Sequence, residues 1–95
     1  MSTINQRLSE MMIPTKKDFK KKLEELKAGA KETGELYVIV TSRDLHNLVG
    51  GYDTPNHRMA SCCDAMYDGM KTSDEVLQAP PKGKGASLTI KYSVH

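Results

Sequence analysis

The sequence predicts an α+β fold in which a three-helix core packs on a small antiparallel β-sheet, with one further short helix at the N-terminus. Three patterns carry that expectation. Leu88, Ile90, Tyr92 and Val94 alternate strictly with Ser87, Thr89, Lys91 and Ser93, the period of two that a strand shows when one face is buried. Phe19, Leu23, Leu26 and Ala30 fall on a single helical stripe. Between these lies a β-branched and aromatic run, residues 36–40, followed by two short helical stripes that meet at Gly50-Gly51.

In chain order, Ile4, Leu8, Met11 and Met12 recur at helical spacing over residues 3–12, Ser2 or Thr3 can cap the start, and Pro14 closes the segment. A helix this short does not stand alone, so it must dock on the domain or on another chain. Thr15 is a candidate N-cap for the next helix, and Asp18 completes a capping-box pattern with Asp in place of Glu. Lys16, Lys17, Lys20, Lys21 and Lys22 crowd its first turns, where cations oppose the helix dipole. Gly34 ends it. Residues 36–40 read as a buried strand. Thr41 or Ser42 caps the following helix, Asp44 sits in its first turn, and Leu45, Leu48 and Val49 give it an inner face. Thr54-Pro55 opens the next, and Met59, Cys62, Cys63, Met66 and Met70 supply its core stripe up to Gly69. Residues 75–79 read as a strand, and residues 80–85 as a turn or small loop before the alternating strand.

Composition bounds the rest. Ninety-five residues suit one domain with a modest core, a size at which pairing with a second copy often helps stability. No run of 18 apolar residues is present, so no membrane partner is expected. The N-terminus lacks a basic start followed by an apolar block, and a cytoplasmic location is expected. Cys62 and Cys63 are adjacent, with diverging Cβ directions in a helix, and read as reduced, buried thiols. The formal net charge is +2 but unevenly placed: residues 1–33 and 82–95 are basic, and residues 34–81, with three Lys/Arg against seven Asp/Glu, are acidic.

The order helix, strand, helix, helix, strand, strand over residues 15–94 resembles the winged helix-turn-helix class, by element order rather than by a sequence motif. The resemblance divides the chain into an N-terminal amphipathic helical segment, 1–14, and a winged helix domain, 15–95. It implies a sequence-specific DNA-binding protein, a small transcriptional regulator that acts by occupying double-stranded DNA without a cofactor. The second helix of the pair, residues 55–69, would then enter the major groove, and residues 80–86 would form the wing that touches the backbone.

On that mapping the helix start offers Asn56, His57, Arg58 and Ser61 to base edges; Arg suits guanine and Asn suits adenine. Lys82 and Lys84, separated by glycine, can approach phosphates closely, and Arg43 and the lysines of residues 16–22 could join them. Asp64 and Asp68 on the exposed helix face argue the other way. They suit a basic protein, so the alternative is a non-enzymatic protein-binding adaptor or inhibitor on the same scaffold. Ile4, Leu8, Met11 and Met12 are candidate homodimer contacts. No catalytic or metal-ligating set is expected. Cys62 and Cys63 lie on the core side while His57 faces away, no carboxylate is placed to orient a His, and Gly83-Lys84-Gly85 lacks the frame of a phosphate-binding loop.

Overall fold

The structure, a computed structural model, describes residues 13–51 and 57–95. Among these residues six elements follow one another: α1 (Lys16–Glu32), β1 (Tyr37–Thr41), α2 (Ser42–Val49), α3 (Met59–Asp68), β2 (Glu75–Gln78) and β3 (Thr89–Ser93). The α+β fold with three helices and one three-stranded antiparallel sheet is as expected. The N-terminal helix proposed for residues 3–12, with Ile4, Leu8, Met11 and Met12, lies outside the described residues, as do Thr54, Pro55 and Asn56.

Local chemistry sets most of the boundaries. At the start of α1, the Asp18 amide donates to Thr15 Oγ1 at 3.3 Å and the Thr15 amide donates to Asp18 Oδ2 at 2.9 Å, a reciprocal capping box. Thr41 caps α2 by accepting from the Asp44 amide at 3.2 Å. Gly50 and Gly51 both adopt positive φ, 115° and 78°, a backbone that side-chain-bearing residues resist, and they end α2 there.

The sheet has the order β1-β3-β2. β1 pairs with β3 without a break from Tyr37↔Ser93 to Thr41↔Thr89, whereas β2 pairs with β3 through a bulge between Val76 and Gln78. The helices cover one face of this sheet. Phe19 and Leu23 from α1, Leu45 from α2, Cys62, Cys63, Ala65 and Met66 from α3, Leu88 just before β3, and Ile90 and Tyr92 from β3 are all fully buried in one cluster. The alternation of residues 87–94 thus has the meaning expected of it.

Three sequence expectations need correction. Residues 36–40 were expected to be buried, but β1 is an edge strand: Val38 and Val40 face the core while Tyr37 and Ile39 are about half exposed, at 47% and 50%. With three strands and helices on one side, no other described residues cover the second face of the sheet. Leu48, expected inside, is 55% exposed and borders a surface depression with Pro14, Asp18 and Val49. The buried stripe of α2 is Ser42, Leu45 and His46, with Val49 packed against it, the i, i+3, i+4, i+7 series of a helix face. Finally, α3 starts at Met59 rather than at residue 55.

Candidate nucleic-acid interface

α3 opens without a side-chain cap. Arg58 stands at the N-cap with φ −135° and ψ 57°, and its guanidinium turns back so that Nη1 donates to the His57 carbonyl at 2.9 Å. The Arg58 amide donates to His46 Nε2 at 2.8 Å. Nε2 therefore carries no proton, and the buried imidazole of α2 holds the N-cap residue of α3 in place. Burial in the core holds the His46 pKa below its usual value, and the nearby His57 works in the same direction. Phe19 meets the His46 ring edge-on at a centroid distance of 4.8 Å, and His57 stacks on it at 4.9 Å.

His57 was expected on the outer face of the helix. It lies before α3, against His46, and does not project with the helix side chains. Arg58 is exposed, Ala60 is exposed and Ser61 partly so, and these form the accessible first turn. Asp64 and Asp68 follow along the same face.

Neither carboxylate stands alone. Lys84 Nζ lies 2.8 Å from Asp64 Oδ1, and Lys16 from the start of α1 pairs with Asp68. The Lys16 hydrogen bond holds the Asp68 carboxyl below the usual carboxylate range, and the Asp64 hydrogen bond raises the Lys84 ammonium. These groups are on the surface and screened by solvent, so the pairs add little to stability. Their effect is mainly on the sign of the face. Lys17 and Lys20 stand exposed on α1 beside Lys16, and Lys82 is exposed on the loop before Lys84. The acidic ridge of α3 is bounded by lysines from two other elements.

The loop between β2 and β3 is not a free-standing finger. Pro80 is buried. Tyr67 of α3 donates its hydroxyl to the Gly83 carbonyl at 2.5 Å, Ser42 Oγ donates to the Gly85 carbonyl at 2.5 Å, and Cys63 Sγ lies 3.3 Å from both the Gly85 carbonyl and its amide. The loop lies fastened along α3, its lysines at the rim. Arg43 falls elsewhere, on a depression with Gln78, Ser87 and Thr89 at the end of the sheet. Of the residues singled out in the sequence, Arg58, Ser61, Asp64, Asp68 and Lys84 are therefore brought onto or against one helix, and Arg43 is not among them.

His46, Tyr67 and Lys27 were missed. The first two carried a signal, a polar residue at a core-stripe position of α2 and an aromatic next to the α3 stripe. Lys27 carried the same kind of signal on the α1 stripe, one residue beyond Leu26. Cys62 and Cys63 are buried free thiols, and burial, reinforced by Cys63, pushes Cys62 to about 12. Cys62 Sγ donates to the Ser42 carbonyl, a packing role rather than a reactive one. Among the described residues no group of three or more His, Cys, Asp or Glu could hold a metal ion, and no helix is long and apolar enough to cross a membrane. Comparisons with protein-family models, with curated proteins and with solved structures yield no match.

Proposed function

We propose that this chain binds double-stranded DNA as a small regulator of the winged helix-turn-helix kind, with α3 presented to the major groove. In this reading α2 and α3 form the helix-turn-helix, β1 precedes them, and β2 and β3 carry the wing. The sheet order β1-β3-β2 behind the helices is compatible with it. The observation that carries the reading is the pairing of Asp64 with Lys84 and of Asp68 with Lys16. The two carboxylates that should repel phosphate each have a cation beside them, and exposed Lys17, Lys20, Lys82 and Arg58 add positive charge around the helix. The same pairing weighs against an acidic face that waits for a basic protein. Base reading falls to the first turn of α3, with Arg58 and Ser61 as its polar side chains. The protein acts by occupancy, without chemistry of its own.

Fluorescence anisotropy with labelled random-sequence duplex, over a salt series, tests this. Lys82→Ala should weaken binding on every sequence and lower the salt slope by about one. Lys82 is the informative site, because Lys84→Ala also unmasks Asp64. Arg58→Ala should change the preference among selected sequences, by about 1–3 kcal/mol at the base it reads. Binding that shows no salt dependence, or that neither change alters, rules the reading out.

A further inference from the structure

Lys16, Lys17, Lys20, Lys21 and Lys22 stand in the first turns of α1, where the helix dipole disfavours cations. The fold itself employs two of them: Lys16 pairs with Asp68 of α3, and Lys22 pairs with Glu25 at 2.9 Å. Lys17, Lys20 and Lys21 are exposed and form no ion pair among the described residues. Local folding thus gives no reason for Lys17 and Lys20 to be basic.

What distinguishes Lys17 and Lys20 is where they stand relative to α3. At about 100° per residue, Ala60, Ser61, Asp64 and Asp68 form one accessible strip along that helix. Cys63 and Tyr67 lie on one side of the strip, and the β2–β3 loop is fastened to them through Gly85 and Gly83. Gly69 lies on the other side. There α1 packs so closely that a Cβ would come within 2.8 Å of Leu23, and Lys27 donates to the Gly69 carbonyl. The strip is therefore bordered by the loop along one margin and by α1 along the other. Each border carries one lysine joined to the strip, Lys84 to Asp64 and Lys16 to Asp68. Each also carries exposed lysines beyond it, Lys82 on the loop and Lys17 and Lys20 on α1. Lys20 is one turn along α1 from Lys16, and its charge adds to the lowering of the Asp68 carboxyl that the Lys16 hydrogen bond leads.

We propose that these two borders grip opposite strands of a DNA duplex: Lys17 and Lys20 meet phosphates of one strand and Lys82 meets phosphates of the other, with the accessible strip of α3 in the major groove between them. The inference rests on the DNA-binding reading given above and assigns its phosphate contacts to strands. The dimensions agree. An α-helix with its side chains is about 10–12 Å across and the major groove is about 12 Å wide, so cations just outside both margins of one helix meet the two backbones that border the groove. The carboxylates fit the same arrangement. Asp64 and Asp68 would repel a single line of phosphates laid along the strip, but the floor of a groove carries base edges and its phosphates lie at the margins, where the lysines are. Phosphate contacts of this kind fix orientation and register, which leaves base reading to Arg58 and Ser61.

Anisotropy of the full chain on a duplex selected from a random pool is the test, with single uncharged methylphosphonate linkages placed in turn along each strand. Lys17→Ala and Lys20→Ala should each weaken binding and lower the salt slope by about one. Lys31→Ala, at the other end of α1, should leave both unchanged. All three lysines are exposed, so unchanged circular dichroism spectra are expected of the variants. A linkage that has already lost the charge met by Lys20 makes Lys20→Ala silent. Such linkages should lie on one strand, and those that silence Lys82→Ala on the other. Binding that responds to Lys82→Ala but to neither Lys17→Ala nor Lys20→Ala overturns the inference and leaves the DNA reading standing, as does silencing of the Lys20 and Lys82 variants by linkages on the same strand. An equal loss on single-stranded DNA, or from Lys31→Ala, shows a surface for any polyanion and also overturns it. Absence of salt-dependent duplex binding by the wild type overturns both.

Discussion

His46 shows how a single side chain can join two elements and make their union depend on pH. Its Nε2 accepts the Arg58 amide, and protonation there would remove the acceptor and leave a charge inside the core. Burial lowers its pKa in the folded chain, so the folded state holds fewer protons than the unfolded one once pH falls below the ordinary histidine value near 6.5. The stabilisation is fully present above that pH and is lost as pH falls toward the folded value, at up to about 1.4 kcal/mol per unit. Thermal melts at pH 7.5 and 5.5 should show a marked loss for wild type and a smaller one for His46→Gln, which keeps an acceptor but not a titrating ring. This histidine was within view in the sequence but was not read as core. The search for a core face on α2 favoured Leu48, and the stripe that is buried runs through Ser42 and His46 instead. Polar residues qualify for such a stripe only when partners satisfy them, and those partners, Arg58 and Gly85, come from elsewhere in the chain.

At the level of elements, the parts that could be read were those fixed by neighbours in sequence. The capping box of α1 uses Thr15 and Asp18, and the strand signal of residues 87–94 needs only alternate residues on β3. Thr15→Ala removes one half of that box and should destabilise the protein by about 1 kcal/mol in urea unfolding, with an unchanged slope. What could not be read were features set by packing between elements. β1 has the composition of a covered strand, and among the described residues the helices occupy a single face of the sheet, which leaves Tyr37 and Ile39 exposed. The loop after β2 has the composition of a free tip, and its attachment depends on Tyr67, Cys63 and Ser42 standing where α2 and α3 place them. The candidate site was therefore legible as a set of residues on α3 and the loop, but the ion pairs that decide its sign were not.

For the molecule as a whole, Lys27 is the tie between the helices and the sheet. Its side chain is nearly buried, its ammonium donates to the Gly69 carbonyl at the end of α3 at 2.8 Å, and it lies 4.5 Å over the ring of Tyr92 on β3. Tyr92 in turn donates to the Met66 carbonyl at 2.8 Å from within the core. Lys27→Ala strands the Gly69 carbonyl and should cost about 1–3 kcal/mol in chemical denaturation, whereas removing its exposed ion-pair partner with Glu24→Ala should change stability by less than about 0.5 kcal/mol. A three-element brace of this kind explains how a chain of 95 residues closes around one small cluster. The fastening of the β2–β3 loop has a further consequence. Because Ser42, Cys63 and Tyr67 already hold it in one shape, the proposed contact with DNA would cost little conformational entropy in this loop.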